Sequence, residues 1–221
     1  MAVTENSARV AAALGFVIAL QTGVAMAQAS LPSLKAPDLA QGPYSHMKML
    51  LEKFYVDVAT VEVRVDKPTQ ARFAELVKGQ SYSAKLEQDL AAYAFGAQRA
   101  VAQTSFKRDI SFSSWVGSLR DNLKQARKAG LITADIEKRI GQDLPQRLAG
   151  LKDRGYEKDD RFIYSVTPQA VQVAVIAKSG QALANFTDKG KGSRRAVMAC
   201  FFAPKSDYRE PLLRSLVGAK R

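Results

Sequence analysis

Three runs of alternating side chains, DRFIYSV, AVQVAVIAK and ALANF, follow one another between Asp160 and Phe186 and are separated only by TPQ and SGQ. Connections this short join antiparallel neighbours, because a parallel pair needs a crossover of roughly a dozen residues or more. This part of the chain is therefore a hairpin-linked meander, and a dinucleotide fold built from βαβ units is excluded. Two earlier stretches carry the same period. AQRAVAQTSF reads as one strand, and MKMLLEKFYVDVATVEVRVD, rich in β-branched and aromatic residues, as one long strand. The phase of the latter slips: Phe54, Val56 and Val58 share one face, whereas Val61, Val63 and Val65 fall on the other, so a bulge or sharp bend is expected near Ala59 and Thr60.

Between the strands the period lengthens. Asp66, Pro68 and Gly79 bracket a short helix with Phe73, Leu76 and Val77 inward, and Leu86, Leu90 and Tyr93 mark a second. From about Ser113 to Ala129, Trp115, Val116, Leu119, Leu123 and Ala126 form one stripe, with Arg120, Asp121, Lys124, Arg127 and Lys128 outward and Gly130 closing the helix. Thr133 caps a further helix carrying Ile136, Ile140, Leu144 and Leu148, which Pro145 is expected to divide in two. Two helices end the chain, around 194–202 and 207–217, split by Pro204, with Ser206 as the cap of the second. The sum is an α+β fold: a curved antiparallel sheet with helices packed on one face.

The N-terminus is of another kind. Arg9, the apolar run Val10 to Leu20 and the small residues around Ala25-Met26-Ala27 have the pattern of a secretory signal peptide. A helix of that run is only about 16 Å long against a ~30 Å hydrocarbon core. Residues 1–27 are read as the signal peptide with cleavage near Ala27, 28–43 as a flexible leader, and 44–221 as the folded domain. The expected location is periplasmic or secreted.

Several kinds of chemistry lack their residues. Cys200 is the single cysteine; its apolar neighbours in AVMACFFAP fit a buried inert thiol better than a nucleophile, which needs a base or cation beside it. His46 is the only histidine, so neither a zinc cluster nor a serine triad is supported. No cofactor is expected. GKG at Gly190 to Gly192 lacks the rest of a phosphate loop, and both DKGKGSRR and the acidic YEKDDRF read as solvated turns. The formal net charge is +12, and loss of residues 1–27, with one base and one acid, leaves it unchanged. The densest basic cluster, DKGKGSRR, has no aromatic residue interleaved as a stacking platform, so no nucleic-acid partner is expected; peripheral contact with an anionic membrane surface is a better use of the charge.

The succession KFYVDVATVEV, FKRDISFSSWVGSLRDNL, AGLITADIEKRI, GYEKDDRFIYSVTPQAVQVAVIAKSGQALANF and RRAVMACFFAPKSDYREPLLRSLVG resembles the chalcone isomerase-like family, most closely its exported bacterial branch. The similarity spans about residues 44 to 218 and lies in the order of the motifs. It implies an open-faced β-sandwich of the chalcone isomerase type, with an apolar ligand held in a cleft between sheet and helices. The family includes stereospecific isomerases, fatty-acid-binding proteins and non-catalytic helpers, so fold alone does not choose between enzyme and carrier.

In the enzymes of that family, the resemblance implies, an arginine before the first long strand, a hydroxyl on that strand, a tyrosine and an asparagine on the central helix and a late threonine or serine stabilise charge on the substrate oxygen. Here the arginine slot lies near Met47 or Lys48, the strand hydroxyl near Tyr55, the tyrosine slot at Phe112, the asparagine slot at Leu119 and the late hydroxyl at Cys200. Each lost donor removes about 3 kcal/mol of barrier lowering. The expectation is a non-catalytic protein holding a fatty acid or other apolar small molecule against Tyr55, Phe112, Trp115, Leu119 and Cys200, with Lys48 or Arg108 as counter-charge. The alternative is an isomerase, an intramolecular lyase acting on an unidentified substrate, with Tyr55 as the retained hydroxyl. For Arg108 and Asp109 the competing role is local structure, with Asp109 and Ser111 capping the helix that follows.

Overall fold

The computed structural model describes residues 46–53 and 56–217. The signal peptide and leader read from the sequence, together with Phe54 and Tyr55, lie outside the described residues. Six strands form one open sheet in the order β1-β2-β3-β4-β5-β6, every pair antiparallel. They are β1 (His46–Lys53), β2 (Val56–Val65), β3 (Ala100–Phe106), β4 (Arg161–Val166), β5 (Val171–Ile176) and β6 (Ala182–Asp188). Helices α1 (Lys67–Val77) and α2 (Ala84–Gly96) lie between β2 and β3; α3 (Phe112–Lys128), α4 (Ala134–Arg147) and a 3-10 turn (Ala149–Leu151) precede β4; α5 (Ser193–Phe202) and α6 (Arg209–Arg214) follow β6. The α+β class with an antiparallel sheet is as expected.

The first long run corrects the reading of a single bent strand. The chain reverses direction between Lys53 and Val56, which pair with each other, so the run is a hairpin. Its phase slip is nevertheless a real bulge: Leu51 pairs with Ala59 but Glu52 with Asp57, leaving Val58 as the extra residue. Period two holds on both sides of a reversal, so alternation alone cannot separate one strand from two.

Pairing carries two apolar rows across the sheet. One runs Met47, Val63, Ala102, Tyr164, Val173 and Phe186, the next Met49, Val61, Thr104, Phe162, Val175 and Ala184. The helices bury this face. Helix α5 is apolar almost all round, with Ala196, Val197, Met198, Ala199, Phe201 and Phe202 buried, the pattern of a helix enclosed by protein; it packs against α2, α3, α4 and β4. The opposite face holds a separate small cluster of strand residues, Val101, Ile163, Ala174 and Ile176.

Side-chain oxygens fix the helix starts. Asp66 caps α1 through Thr69 N (3.1 Å) and also accepts from Gln98 N and Arg99 N, tying that start to the entrance of β3. Ser83, Ser111 and Thr133 cap α2, α3 and α4. Pro145 does not divide α4, which runs on to Arg147. Ser206 is not the cap of α6; it donates to Cys200 O (2.7 Å) and accepts from Tyr208 N (3.3 Å). At the sheet edge, the Lys48 amide donates to Ser215 Oγ at 3.1 Å, which fastens the chain just after α6 to β1.

Two stretches read as solvated turns are polar knots instead. Asp160 of YEKDDRF is fully buried and accepts from both Arg154 terminal nitrogens and from the amides of Glu157 and Lys178. In DKGKGSRR, Asp188 accepts from Gly190 N, Ser193 Oγ and Arg139. Their partners are far in sequence or invisible to composition, so charge density alone suggested exposure.

Candidate functional site

Helix α3 lies over the sheet rows with Trp115, Leu119 and Leu123 on its inner stripe, and Ser118 and Asn122 beside them. With α5 and the segment ahead of α6 it encloses a cavity of about 80 Å³. Its walls are mostly aromatic and aliphatic. Trp115 stacks on Phe162 at 5.2 Å between ring centroids and Phe162 meets Tyr164 at 4.7 Å. Tyr164 meets Phe201 at 6.4 Å, which meets Tyr208 at 5.4 Å. Such pairs prefer offset or edge contacts and hold their rings in fixed orientation.

Polar groups at the cavity are few and neutral: Thr104, Ser118, Asn122, Cys200 and the phenols of Tyr164 and Tyr208. Burial pushes the Cys200 thiol up to about 12. Burial also pushes Tyr208 to about 12, helped by Cys200 and Asp207, while Asn122 pulls the other way. Tyr164 is raised well above the ordinary tyrosine value, again chiefly by burial. The consequence is chemical. At neutral pH the thiol is not a nucleophile and the phenols are not bases; they are hydrogen-bonding groups in a site lined by no charged side chain.

A second, smaller cavity of about 30 Å³ shares Ile140, Leu144, Tyr164 and Val197 with the first. It opens toward β6, where Phe186, Arg147, Asp143 and Asp188 line it.

Of the residues named from the sequence, Trp115, Leu119 and Cys200 come together on the first cavity. Phe112 is buried one turn earlier, stacked on Trp115 at 6.1 Å, and faces a separate surface groove with Val116 and Arg120. Lys48 is not brought to the cavity. Its side chain is 59% exposed, pairs with Glu62 at 3.2 Å, and lies on the sheet face opposite Met47 and Met49. Arg108 lines another shallow depression with Lys53 and Val56. Asp109 accepts from Lys158 N at 2.8 Å, so it ties two loops together and the cap falls to Ser111 alone. Tyr55 lies outside the described residues.

Sequence reasoning missed Asn122, Tyr164 and Tyr208. The first had a signal: counting from Trp115, positions i+3, i+4 and i+7 are Ser118, Leu119 and Asn122. Tyr164 alternates with Phe162 and was legible as strand but not as wall. Tyr208 precedes α6 in a segment without periodicity. Among the described residues, no group of three or more His, Cys, Asp or Glu is placed to hold a metal, and no helix is long and apolar enough to cross a membrane. Neither comparison with known protein families nor comparison with characterised proteins finds a match to this chain.

Proposed function

We propose that this chain is an exported binding protein on a chalcone isomerase-like scaffold, holding an apolar small molecule such as an acyl chain between sheet and helices. The observation that carries the reading is the uncharged cavity on which Trp115, Leu119 and Cys200 converge. Apolar walls with a few placed neutral polar groups are the usual composition of a small-molecule site. The volume of about 80 Å³ exceeds what a single water needs and suits a small apolar group. An open antiparallel sheet with its helices on one face is compatible with the scaffold. The basic surface would serve peripheral contact with anionic envelope components.

A specific observation favours a second reading. Shifting the tyrosine and asparagine slots three residues along α3, at unchanged seven-residue spacing, places them on Trp115 and Asn122, both at the cavity. Asn122 beside Tyr208 supplies an amide and a phenol, a donor set able to meet a developing oxyanion. That reading is an isomerase acting on a neutral carbonyl substrate.

Trp115 is the only tryptophan and lines the cavity, so its emission reports occupancy. Saturable quenching or shift by small apolar ligands, abolished by Leu119→Phe filling of the cavity, is the expected result. Absence of any response, together with no lipid retained by the protein isolated from its own envelope in native mass spectrometry, would remove the binding reading. Turnover of α,β-unsaturated ketones that drops in Asn122→Leu and Tyr208→Phe would replace it with the enzyme.

A further inference from the structure

Helices α3 and α4 run antiparallel, with Arg127 paired to Glu137 and the Leu123 side chain against Gly141. Continued, that register sets the first turns of α3 opposite the end of α4 and the 3-10 turn, and there a groove opens between them. It is the surface groove that Phe112 faces, about 630 Å³ against about 80 Å³ for the buried cavity. Phe112, Val116, Gly117, Pro145 and Ala149 form its apolar part. Gly117 lies within α3, where glycine weakens a helix relative to alanine. Its φ is not positive, and a Cβ there would meet nothing within 4 Å. Neither turn geometry nor internal packing calls for a glycine at this place; close approach of another backbone does.

The polar side chains of the groove are Ser113, Arg120, Gln142, Gln146 and Lys152, and no acid lines it. Asp121 and Asp153, next to the two cations in sequence, are not among its walls. The side chains of Arg120, Gln142, Gln146 and Lys152 make no hydrogen bond or ion pair among the described residues. The helix register separates the two cations: Lys152 falls at the Phe112 end of the groove and Arg120 at the other. Between Phe112 and Arg120 the axis of α3 rises about 12 Å. An extended chain covers that distance in about four residues.

We infer that this groove binds an extended acidic peptide segment whose two carboxylates, about four residues apart, pair with Arg120 and Lys152, with an apolar side chain between them on the floor. Alternate residues of an extended chain point to one side, so acid, apolar group and acid are presented together. Gln142 and Gln146 each carry a donor and an acceptor in one amide and suit the peptide backbone, and Gly117 lets that backbone lie close. Two unanswered cations with no anion beside them, in a chain of net charge +12, give the groove its preference for an acidic partner. An anionic membrane offers charge but no backbone for the glutamines, so the groove favours a peptide. The inference stands apart from the buried cavity and its ligand.

The experiment titrates the isotope-labelled full chain with the blocked peptide Glu-Ser-Leu-Ser-Glu and with its neutral counterpart Gln-Ser-Leu-Ser-Gln. NMR follows the Gly117 amide and the side-chain amides of Gln142 and Gln146. Saturable shifts at these groups are expected, with the acidic peptide bound about tenfold more tightly, about threefold for each exposed ion pair, and the difference shrinking as salt is raised. Arg120→Gln and Lys152→Gln should each weaken the acidic peptide about threefold and leave the neutral one unchanged. Gly117→Leu, whose side chain enters the groove, should weaken both. No shift at these amides, equal binding of the two peptides, a preference that survives the double charge variant, or undiminished binding to Gly117→Leu overturns the inference. Shifts at the groove with phosphatidylglycerol vesicles but not with peptide overturn it in favour of a lipid surface. Leucine is a better helix former than glycine, so Gly117→Leu should melt no lower than the native protein; if it fails to fold, the double charge variant decides.

Discussion

Arg154 grips Asp160 with two nitrogens, Nη1 2.6 Å from Oδ2 and Nη2 3.1 Å from Oδ1, while the carboxylate also accepts the amides of Glu157 and Lys178. This single buried anion gathers the loop before β4 and the turn after β5. Burial on its own raises the Asp160 pKa, but the Arg154 hydrogen bonds and charge and the two amides overcome it and hold the carboxyl below its usual value. Asp66 and Asp188 are lowered in the same way by the hydrogen bonds they accept.

The sign of the pH dependence follows. A carboxyl with a depressed native pKa contributes stability above its unfolded value, about 3.9, and loses it as pH falls through the native one. The melting temperature should hold level from pH 7 to about 5 and drop steeply below about 4. Arg154→Met leaves Asp160 buried and unpaired, so it should cost about 3 kcal/mol or more at pH 7. The gap to the native protein should narrow in acid, where Asp160 takes a proton. Thermal melts of both proteins from pH 7 to 2.5 check this.

Cys200 should resist alkylation. With its thiol pushed up to about 12, against about 8.5 in an unfolded chain, the thiolate fraction at pH 8 is about a thousandfold or more smaller in the native protein. Reaction with iodoacetamide should be slower by about that factor than in denaturant and should rise with pH well past 9. Because the raised group is protonated, its contribution to stability is complete below about 8.5 and is lost as pH climbs toward 12. Rates at several pH values, native and unfolded, measure it.

Tyr164 separates the two cavities. Tyr164→Ala should cost about 3 kcal/mol through lost packing against Phe162 and Phe201. It should also merge the hollows, so that bulkier apolar dyes that the native protein excludes now bind. Chemical denaturation gives the first number and dye fluorescence the second.

Gly155 has φ +71, and a Cβ there would stand 2.5 Å from Ile110 O. The contact is with backbone, held by the Ile110–Tyr156 bridge, and cannot yield as a flexible side chain would. Gly155→Ala should therefore destabilise by about 2 kcal/mol or more, seen as a lower denaturation midpoint. Gly150→Ala, where an added Cβ meets nothing within 4 Å, is the control and should shift little.

The parts of this fold that could be read from the residues were those governed by local periodicity and capping. β4, β5 and β6 appear where DRFIYSV, AVQVAVIAK and ALANF alternate, and Ser111 and Thr133 start α3 and α4 as their hydroxyls imply. What could not be read depended on partners distant in the chain. The reversal between Lys53 and Val56 carried no glycine or asparagine to announce it. Pro145 sits inside α4 because the helix tolerates one missing donor near its end. For the site, the α3 stripe found Trp115 and Leu119 but stopped short of Asn122, and charge pointed to Lys48 and Arg108, whereas register puts Lys48 behind the sheet and the loop carries Arg108 elsewhere. Tyr208 reaches the cavity only through tertiary folding.

The hydrogen bond from Lys48 N to Ser215 Oγ occupies an amide on the outer border of the sheet. A border strand with open amides is a template on which a second polypeptide can zip, the first step toward fibrils and swapped assemblies. By laying the turn after α6 along β1 and filling one of those amides, the chain covers part of that border with its own residues, and Ser215→Ala would leave the amide open.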